Sequence, residues 1–185
     1  DGGICDYVKY IDKDKNNLFE VPVHLEGESD NIKVEIAFAY TDAYTENIYS
    51  FVNNIPTTEG GTHEVGFKTA YTKIMNEYAR KFGYLKEKDN NLLGEDYREG
   101  ITAVISLKMA NVQFEGQTKA KLGNTNAKPA VESVVNSTLP GFLDNLRNSA
   151  VLSTIAEKAV KAAKVREASR KAKENARTKN KLKGA

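Results

Sequence analysis

A polar run, Gln113-Phe114-Glu115-Gly116-Gln117-Thr118-Lys119-Ala120-Lys121-Leu122-Gly123-Asn124, follows directly on an apolar strand-like stretch and carries lysines at alternate positions. A loop of this kind can present an ammonium group to something outside its own domain. Lysine holds a compact charge on a flexible four-carbon stem, which suits it to follow a phosphate that appears and disappears during a cycle. A phosphoryl group in transfer needs positive charge where negative charge develops. Spacing alone favours a solvated loop bearing ordinary lysines, because basic loops are common and an exposed charge pair contributes little.

A second set of cations is built for a different ligand. Lys68 lies in a long helical pattern, and Arg166, Arg170, Lys171, Lys173, Arg177 and Lys179 recur along the basic C-terminal segment. They could neutralise the phosphates of double-stranded DNA, which would make binding fall steeply with salt. No aromatic residue interleaves with this basic tail, so stacking on single strands is not expected.

Other chemistries find less support. Gly60-Gly61-Thr62-His63-Glu64-Val65-Gly66-Phe67-Lys68-Thr69 nearly forms a phosphate-binding P-loop, but Phe67 stands where the motif needs Lys. One residue of shift turns the lysine by about 100° on a helix, so a nucleotide site is rejected here in favour of a tight turn and a helix start. Cys5, His24 and His63 are far apart and show no paired ligand spacing, so no metal is expected. There is no Gly-x-Ser-x-Gly elbow and neither histidine has an evident nucleophile. By itself the chain does not read as an enzyme.

The 185 residues, 40% of them apolar, can build one ordinary domain and an appendage. One cysteine excludes an internal disulfide, no apolar run approaches the roughly 20 residues of a membrane span, and the start lacks a signal-like core. A cytoplasmic protein is expected. A start on Asp1 and a finish in a basic helix suggest a piece of something longer. The net charge of +2 hides an asymmetry: residues 157–185 hold eleven Lys and Arg against three Glu, or +8, leaving 16 bases against 22 acids, or −6, in the first 156.

The positioning elements follow from periodicity. Ile4, Val8 and Ile11 have helical spacing. Val21, Val23 and Leu25, then Ile32, Val34, Ile36, Phe38 and Tyr40 after a turn over 27–31, alternate as an antiparallel hairpin. A third strand is expected over 48–55, ended by Pro56, and a fourth over 101–109. Thr62 reads as the N-cap of a helix whose apolar face is Phe67, Ala70, Tyr71, Ile74, Tyr78 and Phe82, with Gly83 as terminator. Val131, Val134 and Val135 begin another helix that Leu139-Pro140-Gly141 should break or kink. From Ser149 to Lys181 the pattern is one helix roughly 50 Å long, apolar in its first half and alanine-rich and basic in its second. Residues 1–148 are thus an α+β body and 149–185 a long basic helix projecting from it; 87–94 and 111–116 are the expected flexible loops.

Several segments together resemble a known family. Asn53 to Gly66, Gly94 to Gly100 with Ile101-Thr102-Ala103-Val104-Ile105-Ser106, and Gln113 to Asn124 are similar to the second, transducer, domain of the B subunits of DNA gyrase and topoisomerase IV, and the likeness runs over nearly the whole chain. Lys164 to Glu174 looks like the family's basic helix leading toward a metal-binding cleavage domain. Leu139-Pro140-Gly141 departs from the family pattern, and the last residues match neither subfamily cleanly.

The resemblance implies a ribosomal-protein-S5-domain-2-like fold, a four-stranded sheet backed by helices with a left-handed crossover, which runs against the general rule. It further implies that Lys119 reaches the γ-phosphate of ATP held with Mg2+ by a preceding ATPase domain, that Gln117 supports it, and that Lys68 faces transported DNA. The implied partners are that ATPase domain, the cleavage domain, the topoisomerase A subunit, double-stranded DNA and a second copy of the same chain. The implied activity is ATP-dependent passage of one duplex through another, in a gyrase rather than a topoisomerase IV. A free-standing nucleic-acid-binding module using the basic tail is the alternative.

Overall fold

A computed structural model describes residues 3–183. The chain runs α1 (Ile4–Ile11), β1 (Val23–Ser29), β2 (Ile32–Tyr40), β3 (Asn47–Val52), β4 (Ile55–Pro56), α2 (Thr62–Lys81), α3 (Gly94–Arg98), β5 (Ile101–Lys108), α4 (Ala127–Asp144), a 3-10 turn (Leu146–Asn148) and α5 (Ser149–Lys183). The strands form one mixed sheet in the order β1-β2-β5-β3-β4. Among the described strands only β3 and β5 pair in parallel, joined by a crossover through α2 and α3. The fold is the expected α+β class with a long C-terminal helix.

The sheet has five strands rather than four because the expected 48–55 strand turns at Asn53 and Asn54, both at positive φ, and returns as the two-residue β4. The first hairpin also differs from expectation. Its turn is Asp30-Asn31 alone, with both residues left-handed, so β1 extends to Ser29 and pairs with Ile32. A two-residue loop of this hand matches the twist of the strands it joins, and Asp and Asn tolerate it better than other side-chain residues. At the other end β1 starts at Val23, and Val21 is exposed outside it.

The inner face of the sheet carries Leu25, Ile36, Phe38, Tyr40, Ile101, Ile105 and Leu107 against α2 and α4. Phe67 and Tyr71 of α2 stack on each other, and Phe38 meets Tyr71 edge-on. Part of the outer face is covered too: Val8 of α1 packs on Ala37, Ala39 and Val104. The alternation expected along β2 therefore ends at Ile36, beyond which both faces are buried. Small residues on the outer side allow α1 to lie close.

Pro140 does not break α4. The helix passes through it to Asp144, and the carbonyl deprived of its donor belongs to Asn136, whose side of the helix faces solvent. Water can therefore satisfy the lost bond. The 86–93 segment is held rather than loose: Arg80 donates to the Lys86 and Asp89 carbonyls and to Asn91 Oδ1. Asn76 exchanges two bonds with the Leu92 backbone. Tyr97 of α3 is buried, donates to Asn76 Oδ1 at 2.8 Å, and receives Tyr40's hydroxyl on its carbonyl.

At the start of α2 lies a polar knot. Ser50 and Thr57 join hydroxyls at 2.6 Å, Ser50 donates to the Glu64 carboxylate, and Thr57 Oγ1 lies 3.0 Å from His63 Nε2. His63 is fully buried, and its Nδ1 has no partner among the described residues. Burial holds its pKa down from 6.5 to about 4. The unfolded chain takes up this proton first, so stability falls as pH drops through that window, by up to roughly 3 kcal/mol. Glu64 acts in the opposite direction: burial raises its carboxyl pKa, so its contribution is lost as pH rises. In urea unfolding at pH 7 and pH 4.5, the parent should lose more stability on acidification than His63→Leu, which keeps Glu64. An equal loss in both proteins would refute the assignment.

Candidate phosphate-sensing loop and cationic surface

Beyond β5 the chain makes a stalk. Gly123 donates to the Gln113 carbonyl and Glu115 to the Lys121 carbonyl, both at 2.8 Å, so 113–115 and 121–123 run antiparallel with 116–120 as the tip. The base of the stalk is fastened twice. Asn124, buried, accepts the Gln113 N–H on Oδ1 at 2.6 Å and donates from Nδ2 to the Asn111 carbonyl at 3.0 Å. Its own carbonyl accepts the Thr62 hydroxyl at 2.6 Å. Thr62 is therefore not the N-cap of α2. It is the first helical residue, Gly61 precedes it as cap, and its side chain ties helix to loop.

The returning arm docks onto the segment before α2. Glu59 donates to the Ala120 carbonyl, Leu122 donates to the Gly60 carbonyl, and Thr62 donates to the Leu122 carbonyl, at 2.8, 3.0 and 3.2 Å. Leu122 is completely buried between them. An added Cβ at Gly61 would overlap the Leu122 carbonyl oxygen and stand 2.6 Å from the Leu122 nitrogen. With φ at 139°, the position belongs to glycine on both counts.

Gln117, Thr118 and Lys119 are exposed on the tip. The two lysines of the run are not equivalent. Lys121 pairs with Glu115 at 3.1 Å, whereas Lys119 makes no ion pair or side-chain hydrogen bond among the described residues. The tip thus carries one uncompensated ammonium on a braced stalk. An anion approaching from outside would meet it without displacing a partner.

The P-loop-like stretch is closed to phosphate. Leu122 fills the space over Gly61, and the Glu64 carboxylate lies 3.1 Å from where a Cβ on Gly60 would be. A phosphate would have to replace protein backbone and face a carboxylate.

The cations expected to meet DNA differ in their partners. Lys68 sits half-exposed on α2, 3.5 Å from Glu46, which also holds Arg98 at 2.9 Å. Arg166 departs from expectation: its Nε and Nη2 grip both oxygens of Asp96 at 3.1 and 2.9 Å, and Nη1 meets Glu167. Asp96 is buried and also accepts the Leu93 N–H, so this arginine anchors α5 to α3. Arg170 is exposed but shared between Glu167 and Glu174. Lys171 is exposed and lies in a fully exposed stretch of α5 that runs from Ala168 to residue 181. Strand pairing also brings His24, Glu26 and Glu35 together on one face of the β1–β2 hairpin.

Sequence reading missed Gly61, Thr62 and Asn124 as parts of this site. The adjacent glycines and the asparagine ending the polar run were the available signals. Gly61→Ala should destabilise the fold by about 3 kcal/mol from backbone strain and the blocked contact. Hydrogen exchange should show lost protection at Leu122 and Gly123. An unchanged melting temperature and unchanged protection would contradict this account of the docking.

The residues 3–175 match the family model described as DNA gyrase B. The DNA gyrase B subunit of Clostridium acetobutylicum is 49% identical over 183 residues, covering 98% of this chain and 28% of that protein. The DNA topoisomerase 4 B subunit of Bacillus subtilis is 50% identical over 185 residues, covering 99% of this chain and 28% of that one. Among solved structures, the 43K ATPase domain of Thermus thermophilus gyrase B in complex with an aminocoumarin superposes with a TM-score of 0.85 at 40% identity, over 94% of this chain and 46% of that one. This chain therefore spans less than half of each. On the family match over most of its length, supported by the shared fold, the chain belongs to the DNA gyrase B family of type II topoisomerase subunits.

Proposed function

We propose that this chain is the transducer unit of such a protein, coupling ATP binding and hydrolysis in a separate ATPase domain to gate closure and DNA strand passage. The observation that carries the reading is the uncompensated ammonium of Lys119 on a stalk fastened to the start of α2. A sensor must be free to meet its ligand, yet its backbone must transmit the contact. Lys121, neutralised by Glu115, meets only the second condition.

The fit to ATP rests on these residues. The notch at Gly61 is filled, so a nucleotide would have to be cradled elsewhere, with Lys119 reaching its terminal phosphate and Gln117 beside it. ATP with Mg2+ would supply the phosphoryl chemistry. Lys119 would stabilise charge developing on the transferred group, and its gain or loss of that partner would favour one arrangement of the two domains over the other. That the solved relative is named an ATPase domain, and that this chain matches under half of it, supports placing the nucleotide outside the chain.

The same reading assigns half-exposed Lys68 and exposed Arg170 and Lys171 to the phosphates of duplex DNA, and the end of α5 to the link with a cleavage domain. It also implies an A-subunit partner, a dimeric assembly, a cytoplasmic setting, and a gyrase rather than a topoisomerase IV. The second reading, a free-standing nucleic-acid module, draws on the exposed basic stretch of α5. A salt titration separates them: tight DNA binding by this chain, abolished by removing residues 164–185, would favour the second reading.

Lys119→Ala in the complete protein should lower ATP turnover by about 100-fold or more, with circular dichroism and melting temperature unchanged. Unchanged turnover would remove the sensor role. Arg166→Met should leave ATP hydrolysis near the parent value while reducing strand passage, because it detaches α5 from Asp96 without touching the stalk. Equal loss of both activities would argue against a separate lever function for α5.

A further inference from the structure

The outer face of the β1–β2 hairpin gathers ligands that no phosphate or DNA role uses. Glu26 and Glu35 are direct cross-strand partners. Like charges in that relation are destabilising unless something neutralises them. His24, on the same face, stands opposite Ala37, whose small side chain leaves the imidazole room to lean across. His24 Nε2 lies 2.7 Å from Glu35 Oε2. One donor atom from each of His24, Glu26 and Glu35 lies within 4.8 Å of the other two.

The geometry points to a binding site for a divalent transition-metal ion, with zinc the best chemical fit, held by His24, Glu26 and Glu35. Zinc bonds of about 2.0–2.2 Å to nitrogen and carboxylate oxygen in a tetrahedron set neighbouring ligand atoms about 3.3 Å apart. The widest separation needs to close by at most about 1.5 Å and the 2.7 Å His24–Glu35 pair to open by about 0.6 Å, movements that the rotamers of exposed glutamates supply. The imidazole argues against magnesium and calcium, which prefer shells of oxygen. The remaining position would be taken by water, since the site is open on its outer side.

The frame is stiff because all three residues sit on paired strands. A hollow of about 390 Å³ adjoins Glu26 and Glu35, and it is also lined by Glu28, Lys33, Ser106 and Lys108. The bound ion would cross-link the edge strand β1 to β2 on the face away from α2 and α4. This inference depends on local geometry alone and stands apart from the transducer reading.

Cys5 is the competing soft ligand, since it lies half-buried on α1 against the outer face of the same sheet. The test is a titration of the chain with zinc chloride, read by calorimetry and by thermal melting. One ion should bind per chain and raise the melting temperature. His24→Gln and Glu35→Gln should each weaken binding by at least about tenfold, while Cys5→Ser should leave it unchanged. A dissociation constant for the parent weaker than about 1 mM, binding that His24→Gln leaves undiminished, or binding that disappears in Cys5→Ser would each overturn the assignment.

Discussion

Leu122 binds its backbone into the segment that opens α2, and the site depends on that docking. Its N–H and carbonyl bond to Gly60 and Thr62, and its side chain is sealed in the core. Three consequences follow from one contact. The loop acquires a rigid base, the phosphate-like notch at Gly61 is filled, and the tip is left to carry Lys119 outward. Because the space over Gly61 is closed to any side chain, the contact has no tolerance for substitution there.

The docking rests in turn on the buried polar knot of Ser50, Thr57, His63 and Glu64. Buried polar groups are costly when unpaired and rigid when satisfied. Here nearly all are satisfied by the described residues, and the exception, His63 Nδ1, is kept neutral by its surroundings. The knot joins β3, the turn before α2 and the first turn of α2, so the stalk is mounted on the sheet and on the helix together.

At the far side of the body, α5 is mounted with comparable care. Lys158 donates to the Ala43 carbonyl at 3.0 Å, and Arg166 clasps Asp96 with two bonds. Asp96 is held by α3, which Tyr97 secures to Tyr40 and Asn76 within the core. Stalk and long helix are thus two projections from one packed body. A force applied at either would move that body as a unit rather than bend a loop, because interiors of this density deform little.

Much of this was legible in the residues. Period-two runs located β1 and β2, and period-3.6 runs located α2 and α5, because one-sided burial imposes those repeats; β5, buried on both faces, was marked by its β-branched residues instead. The loop, its exposure and its lysines could be named, and the segments resembling the gyrase B family led to the family that the comparisons bear out. Boundaries were harder to read. The Asp30-Asn31 turn, the return strand β4 and the continuation of α4 through Pro140 depend on local backbone hand and on where solvent can replace a lost bond. A threonine before a helix is most often its cap, and the tie that Thr62 makes instead is hidden from local sequence because its partner, Asn124, lies far along the chain.

From composition and order alone, the chain specified its α+β class, its acidic body with a basic tail, and a lysine-bearing loop after its last strand. Only the tertiary structure distinguished Lys119 from Lys121, assigned Arg166 to Asp96, and brought His24, Glu26 and Glu35 together. The reason is physical: periodicity reports which face of an element is buried, but a charge acquires its role from the partner opposite it, and each partner here arrives through sheet pairing, a folded-back loop or packing between helices.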